Sequence, residues 1–432
     1  MKLKSLSDLG RFDSLYHLVC NCFSKQSDSR KANNSYSLLD LLKSGFAMFS
    51  LKSPSLLNFI NLTQSEENNL SSIYKLAGLP SENGLRQGLD QVNLTELGKI
   101  FRVLWERLRK LGILDTYRYW RKHFIVSIDG VEHFSSKKIH CPHCLSRTHN
   151  GVTSYYHSML SAVLVHPEQR EVFVMANEPI IRQDGVDKND CERNAFKRLI
   201  QVMTDLYGKQ KLLFVMDALY SCGPVMKAIL ANKRWQCVIG IKPDGNKSLF
   251  THFEARDKRG DVSWYEKQEE AGLHRYGYTN NLPLNATHPD LRVNVIYYEY
   301  LPKKGKKRTF TWVTSIRLTQ ANVVKLAQAG RARWKIENET FNTLKNQGYH
   351  FEHNYGHGKD KLCSVFAILM MMAFTVDQIQ QHACTHFRKL WLGLKTKKKL
   401  WENIRAAFKM IDFQSMEQLF EHLAKINRIK LE

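Results

Sequence analysis

Two short apolar runs each end on an aspartate, and that pairing constrains the fold more than any other feature of the chain. Residues 124–128 (Phe-Ile-Val-Ser-Ile) lead into Asp129, and residues 212–216 (Leu-Leu-Phe-Val-Met) lead into Asp217. Apolar runs of this length, flanked by polar residues, read as buried strands. A carboxylate at the end of a buried strand is costly to desolvate unless a cation meets it. A third acid, Glu337, sits in the helical stretch Arg-Ala-Arg-Trp-Lys-Ile-Glu. Two strand-end carboxylates and a helical one therefore predict a site for a divalent cation that prefers oxygen ligands.

The spacing of apolar residues divides the chain. From about residue 37 to 120 they recur at steps of three and four, as in residues 37–43 and 97–111, so this part reads as all-helical. Residues 25–37 are polar and read as a loop, and Leu79-Pro80-Ser81-Glu82-Asn83-Gly84 punctuates the helices. After residue 122 the pattern predicts strands over 124–128, 155–165, 171–176 and 212–216, with a helix over 189–207 between the last two. That succession implies a mixed α/β layer with Asp129 and Asp217 at neighbouring strand ends. Residues 293–300 and 309–316 read as a hairpin whose tip carries Lys303, Lys304, Lys306, Lys307 and Arg308. The apolar stretch 362–374 reads as a buried core helix, too short to span a bilayer, and the region from Phe387 onward as a basic amphipathic one.

In the stretch carrying Glu337, an ideal helix gathers Trp334, Phe341 and Leu344 on one side, with Glu337 near the centre of that stripe and Glu339 pointing away. Arg333 precedes Glu337 by four positions, which is salt-bridge spacing.

The net charge of +23 points to a polyanionic partner, because each phosphate neutralised by Lys or Arg releases counterions. Nine cysteines without regular spacing argue against a disulfide framework, and the amino terminus lacks a signal-peptide pattern. A cytoplasmic, nucleoid-associated protein with reduced thiols and no membrane partner is expected. A basic surface and a carboxylate metal site together suggest phosphoryl transfer on nucleic acid.

At this point the residues resemble the DDE transposases of bacterial insertion sequences, in the group whose third acid follows an Arg by four positions in a helix, with a Lys downstream. The resemblance rests on Ser127-Ile128-Asp129-Gly130, Val215-Met216-Asp217-Ala218-Leu219-Tyr220, residues 331–337 and Lys345. Two positions depart from the signature. Gly330 stands where it has Tyr, and seven residues rather than six separate Glu337 from Lys345. On a regular α-helix one extra residue turns the Lys by about 100°, which also brings Glu339 forward as an alternative ligand.

The resemblance implies an α/β fold: an RNase H-like mixed sheet flanked by helices, an all-helical N-terminal domain and a β-rich insertion between the second Asp and the Glu. The corresponding boundaries are 1–121 for a helical DNA-binding domain, 122–244 and 317–380 for the catalytic core, 245–316 for the insertion and 381–432 for a basic helical region. Asp129, Asp217 and Glu337 would hold two Mg²⁺, for which Mn²⁺ can substitute, with Asp129 bridging the pair. Arg333, Lys345 and the basic hairpin tip would contact phosphates. The expected activity is cut-and-paste transposition by a homodimer on paired double-stranded DNA ends, cutting at terminal inverted repeats and joining them to target DNA. A structure-specific nuclease without strand transfer and a non-catalytic DNA-binding descendant are the alternatives.

One cluster falls outside that scheme. His140-Cys141-Pro142-His143-Cys144, followed by His149 and His157, contains the two-residue Cys gap of structural zinc sites. With His149 and Cys191 as candidate partners, Cys141 and Cys144 could hold a structural Zn²⁺. The segment from His353 to Gly358 reads as a loop near the active site or the DNA, and Trp264, Tyr265, Tyr297 and Tyr298 as aromatics that either stack on bases or pack within strands.

Overall fold

The run Leu212–Met216 is a strand with all five residues buried, as expected of a parallel strand covered on both faces. The computed structural model describes residues 6–30, 35–65, 67–182 and 190–431. In chain order its strands are β1 (Phe124–Ser136), β2 (Leu145–His149), β3 (Val152–Val165), β4 (Phe173–Ile180), β5 (Leu212–Met216), β6 (Trp235–Gly240), β7 (Ser263–Glu269), β8 (Gly272–Asn285), β9 (His288–Pro302) and β10 (Arg308–Thr314).

All ten join one sheet in the order β2-β3-β1-β5-β6-β10-β9-β8-β7, with β4 also on β3. β1 lies antiparallel to β3, and β3 to β4, while β1, β5 and β6 run parallel. This is the mixed sheet expected of an RNase H-like core. The β-rich stretch predicted after Asp217 extends that sheet, because β10 adds antiparallel to β6 and β9, β8 and β7 follow as a meander. Sequence spacing recovered the hairpin with the basic tip but missed β2, β6, β7 and β8. These strands are short, or carry charged and aromatic residues that blur the alternation.

The N-terminal part is helical as expected, with helices that include Phe12–Phe23, Leu38–Ser50, Glu82–Leu89 and Ile100–Lys110. Ser37 caps one by accepting a hydrogen bond from the Asp40 amide, and Ser81 caps another through the Gly84 amide. The helix predicted from residue 189 begins at Glu192 and ends at Tyr207, whose hydroxyl donates to the Met175 carbonyl at 3.0 Å; residue 189 itself lies outside the described residues.

The apolar stretch predicted as a core helix is longer than expected. It runs Leu362–Ala383, long and apolar enough by length and composition to cross a membrane, yet its most apolar stretch is wholly buried inside the protein. Its polar residues are held within the fold: Asp377 pairs with the buried Lys52 at 2.5 Å and accepts from the Tyr349 hydroxyl at 2.6 Å. The basic C-terminal region forms helices Thr385–Leu394, Lys397–Met410 and Met416–Ile426, and these meet the N-terminal ones. Asn69 Nδ2 donates to the carbonyls of Phe408 and Ile411, and Asn68 to Asp412. The two ends of the chain thus share a hydrophobic core with the sheet.

Candidate active site

Parallel pairing brings the two aspartates together. Ser127 of β1 stands opposite Val215 of β5, so Asp129 and Asp217 each lie two residues beyond that pair; Asp217 follows the end of β5, whereas β1 does not stop at residue 128 as expected but continues past Asp129, which pairs with Ser161 of β3, to Ser136. Strands in a sheet are about 4.8 Å apart. Asp217 turns the chain: its Oδ1 accepts from the Leu219 amide at 2.9 Å and caps a short 3₁₀ turn. Asp129 Oδ1 accepts from the Gly130 amide at 3.0 Å.

The helical segment carrying Glu337 is pinned to β1 at its start, where Ser127 Oγ donates to the Arg333 carbonyl at 3.1 Å. The Arg333 side chain then turns to the carboxylates. Its Nη1 donates to Asp129 Oδ2 at 2.8 Å and to Glu337 Oε1 at 2.9 Å. One guanidinium nitrogen therefore bridges the first and third acids. Burial pushes the Asp129 carboxyl up to about 7; the Arg333 charge opposes this, and Glu337 and Glu192 add to it.

The local structure around Glu337 is not the ideal helix of the sequence reading. Helix Gln320–Ala332 gives way to a π-helical segment, Ile336–Phe341. Trp334 is 50 % exposed, and the buried side is made by Ile336, Thr340, Phe341 and Leu344. Glu337 does not lie in an apolar stripe; its side chain is 39 % exposed and meets Arg333 at the rim of the site. A π turn holds one residue more than an α turn, so the extra residue between Glu337 and Lys345 is absorbed there instead of rotating everything downstream. Burial lowers the Lys335 pKa and the nearby Glu339 charge opposes that, while Glu337 is the acid that reaches Asp129. Lys345 pairs with Glu352 at 2.7 Å.

The other signature departure has a steric origin. A β-carbon on Gly330 would lie 2.6 Å from the indole of Trp312, so the ring from β10 packs directly on the helix backbone. Trp312 joins Tyr298 and Phe310 in a stacked aromatic set over which Arg331 lies. Tyr298 is buried and Tyr297 lines the neighbouring cleft, while Trp264 donates its Nε1–H to Asp257 at 3.0 Å. The cleft, of about 400 Å³, is lined by Asp217, Lys242, Tyr297, Phe310, Trp312 and Arg333 among others. The tip residues Lys303, Lys304, Lys306, Lys307 and Arg308 are exposed at the β9–β10 turn, away from that lining, with Lys307 paired to Glu299.

Sequence reasoning missed one acid. Glu192 opens the helix after β4, and its Oε1 sits where a β-carbon on Gly130 would be 2.4 Å away. A larger residue at 130 would make the Glu192 carboxylate shift. Its Oε2 accepts from the Tyr220 hydroxyl at 2.8 Å, and burial together with the Asp217 charge raises its pKa. At a helix start a glutamate needs no special explanation, since the helix dipole favours it there; the glycine following Asp129 was the available signal.

The zinc ligand set of the sequence reading needs correction. Cys141 and Cys144 come together, but with His157 and His357; His149 is exposed at the end of β2, and Cys191 is exposed ahead of the Glu192 helix. Strand pairing separates them: β2 runs away from the cysteines, whereas β3 returns to place His157 beside them.

The family model for the transposase DDE domain matches residues 136–375, more than half of the chain. The chain belongs to the DDE transposase family. The match takes in Asp217 and Glu337 and begins just after Asp129, which the sheet register places beside Asp217. No curated protein matches the chain. DDE transposases act on DNA and use divalent metal ions, and the donors here fit such ions. Asp129, Asp217, Glu337 and Glu192 offer carboxylate oxygens, the donor type such ions prefer, and the Arg333 guanidinium holds cationic charge between Asp129 and Glu337.

Proposed function

We propose that this DDE transposase cuts DNA at the terminal inverted repeats of an insertion sequence and joins the freed ends to target DNA. The observation that supports the reading is the Arg333 bridge between Asp129 and Glu337, beside a cleft that Arg333 and Asp217 both line. Two Mg²⁺ ions, or Mn²⁺ in their place, would supply Lewis-acid stabilisation of the attacking and leaving oxygens. Asp129, Asp217 and Glu337 would hold these ions. Glu192, which accepts from the Tyr220 hydroxyl, adds negative charge beside Asp129 and Asp217.

Arg333 does two things in this scheme. It offsets repulsion between Asp129 and Glu337, and its guanidinium would be suited to meet a phosphate oxygen of bound DNA. The exposed lysines and arginine of the β9–β10 tip, and Lys345 beyond the π segment, would grip the DNA backbone. Joining two ends at once requires two active sites, so a homodimer on paired ends follows from the chemistry.

The test uses oligonucleotides that end in the element's own repeats. Alanine at Asp129, Asp217 or Glu337 should abolish metal-dependent nicking and leave DNA binding largely intact. Retained nicking in any of the three would overturn the assignment. Cleavage by the wild-type protein without joined products would favour a structure-specific nuclease.

A further inference from the structure

We infer that Cys141, Cys144, His157 and His357 form a structural zinc site that braces the catalytic elements against each other. The four ligand atoms come from three separate parts of the chain: the loop after β1, strand β3 and the segment after the Glu337 helix. Cys144 and His357 are 213 positions apart. No side chain of the four is more than 9 % exposed.

All four ligand atoms lie within 4.8 Å of one another, and five of the six edges fit a tetrahedron. Sγ to Sγ is 3.8 Å, Cys141 Sγ to His157 Nε2 is 3.4 Å, Cys144 Sγ to His157 Nε2 is 3.3 Å, Cys144 Sγ to His357 Nε2 is 3.2 Å and the two Nε2 atoms are 3.2 Å apart. A zinc ion bound at about 2.3 Å to sulfur and about 2.05 Å to nitrogen has tetrahedral edges of about 3.8 Å between sulfurs, 3.6 Å between sulfur and nitrogen, and 3.3 Å between nitrogens. The observed edges follow that order and lie within about 0.4 Å of each value. A disulfide would instead need the sulfurs at about 2.05 Å, and both cysteines are free.

Hydrogen bonding fixes one of the imidazoles for the task. His357 Nδ1 lies 3.0 Å from the Gly358 carbonyl, an acceptor that only an N–H can meet, so the proton is on Nδ1 and the Nε2 lone pair faces the cluster. The first layer around the site is apolar or aromatic: the Phe134 ring is 4.5 Å from that of His357, and His133 stacks near His157. Two thiols and two imidazoles in such a setting select a borderline-soft cation such as Zn²⁺ over the Mg²⁺ favoured by carboxylates. This site is independent of the carboxylate cluster in its ligands and its metal.

Its mechanical effect follows from the elements it joins. β1 carries Asp129 and leads into the Cys141–Cys144 turn, while the segment holding His357 follows the helix of Glu337. A bound ion would tie the chain beyond β1 to the chain beyond the Glu337 helix, a second link between these segments besides the Arg333 bridge.

The full-length protein, purified under reducing conditions without added metal, should carry about one zinc per chain by elemental analysis. Cys144→Ser and His357→Gln should lower that content at least about tenfold, while His149→Ala and Cys191→Ser should leave it unchanged. Because a ligand variant can fail to fold, the wild-type protein gives a second readout. Replacing the metal with Co²⁺ should produce the intense visible bands of a tetrahedral thiolate site, and chelation should expose two thiols to a thiol reagent. Folded wild-type protein without zinc and without cobalt bands would overturn the proposal, as would loss of the metal in the His149 or Cys191 variants.

Discussion

Arg333 Nη1 donates to Asp129 Oδ2 at 2.8 Å, joining a residue of the helical segment to the first strand across 204 positions of sequence. The same nitrogen reaches Glu337, so the positive charge sits where two carboxylates would otherwise repel. Burial pushes the Asp129 carboxyl up to about 7, and the Arg333 charge opposes that rise.

The first prediction concerns pH. The proposed role of Asp129 in holding metal needs its carboxyl ionised, so metal affinity and nicking should rise with pH through about 7, with a proton released on loading. Stability of the metal-free protein should move the other way. The native state keeps the Asp129 proton up to about 7, whereas the unfolded chain loses it near the ordinary value of 3.8, so between those values rising pH favours unfolding. Metal titrations and chemical denaturation at several pH values check both signs; a metal affinity independent of pH across this window would contradict the first.

Arg333→Ala and Glu192→Gln should shift that profile in opposite directions. Removing the Arg charge raises the Asp129 pKa further and moves the rising limb to higher pH, with nicking reduced by about a hundredfold or more, the scale for losing a preorganised cationic donor. Removing the Glu192 charge lowers the Asp129 pKa and moves the limb to lower pH, with a greater demand for metal. Shifts of the same sign in both variants would refute this electrostatic picture.

Gly330→Ala should destabilise the protein by about 1–3 kcal/mol through overpacking, because the new methyl would lie 2.6 Å from the Trp312 indole. The second substitution Trp312→Leu should recover part of the loss. Thermal melts of the two single variants and the pair form a double-mutant cycle; strict additivity would show that the ring does not press on this glycine.

Lys52 and Asp377 join the N-terminal helices to the long core helix, and burial lowers the Lys52 pKa while Asp377 opposes that. Lys52→Met alone should cost about 3–5 kcal/mol, since it strands a buried carboxylate, and replacing both partners by apolar residues should cost far less. Denaturant midpoints decide it. Equal losses in the single and the double variant would place the effect in packing against Trp401, over which the ammonium sits at 4.0 Å.

Much of the active site was legible because its signals are local. A run of buried strand residues ending on an acid shows in the chain itself, and the Ser caps and apolar steps mark helices without reference to neighbours. The same locality misled the reading of Glu337. An ideal helix puts it among Trp334, Phe341 and Leu344, but the π segment changes the residue count per turn, and Trp334 is half exposed. Hydrogen-bond register inside a helix depends on what the flanking strands require, and residue spacing does not record it. His149 was the natural zinc partner by distance along the chain, yet the turn between β2 and β3 carries it away and returns His157 in its place.

By itself the sequence determined the element types, the basic character of the surface and which acids had to be neutralised, since each follows from the solvation of individual side chains and the repeat of the backbone. Tertiary structure decided which of them meet. It set Asp129 beside Asp217 through parallel register, admitted Glu192 over Gly130 and closed the cysteines onto His357, because contacts between distant segments arise from packing the sheet and helices into one core.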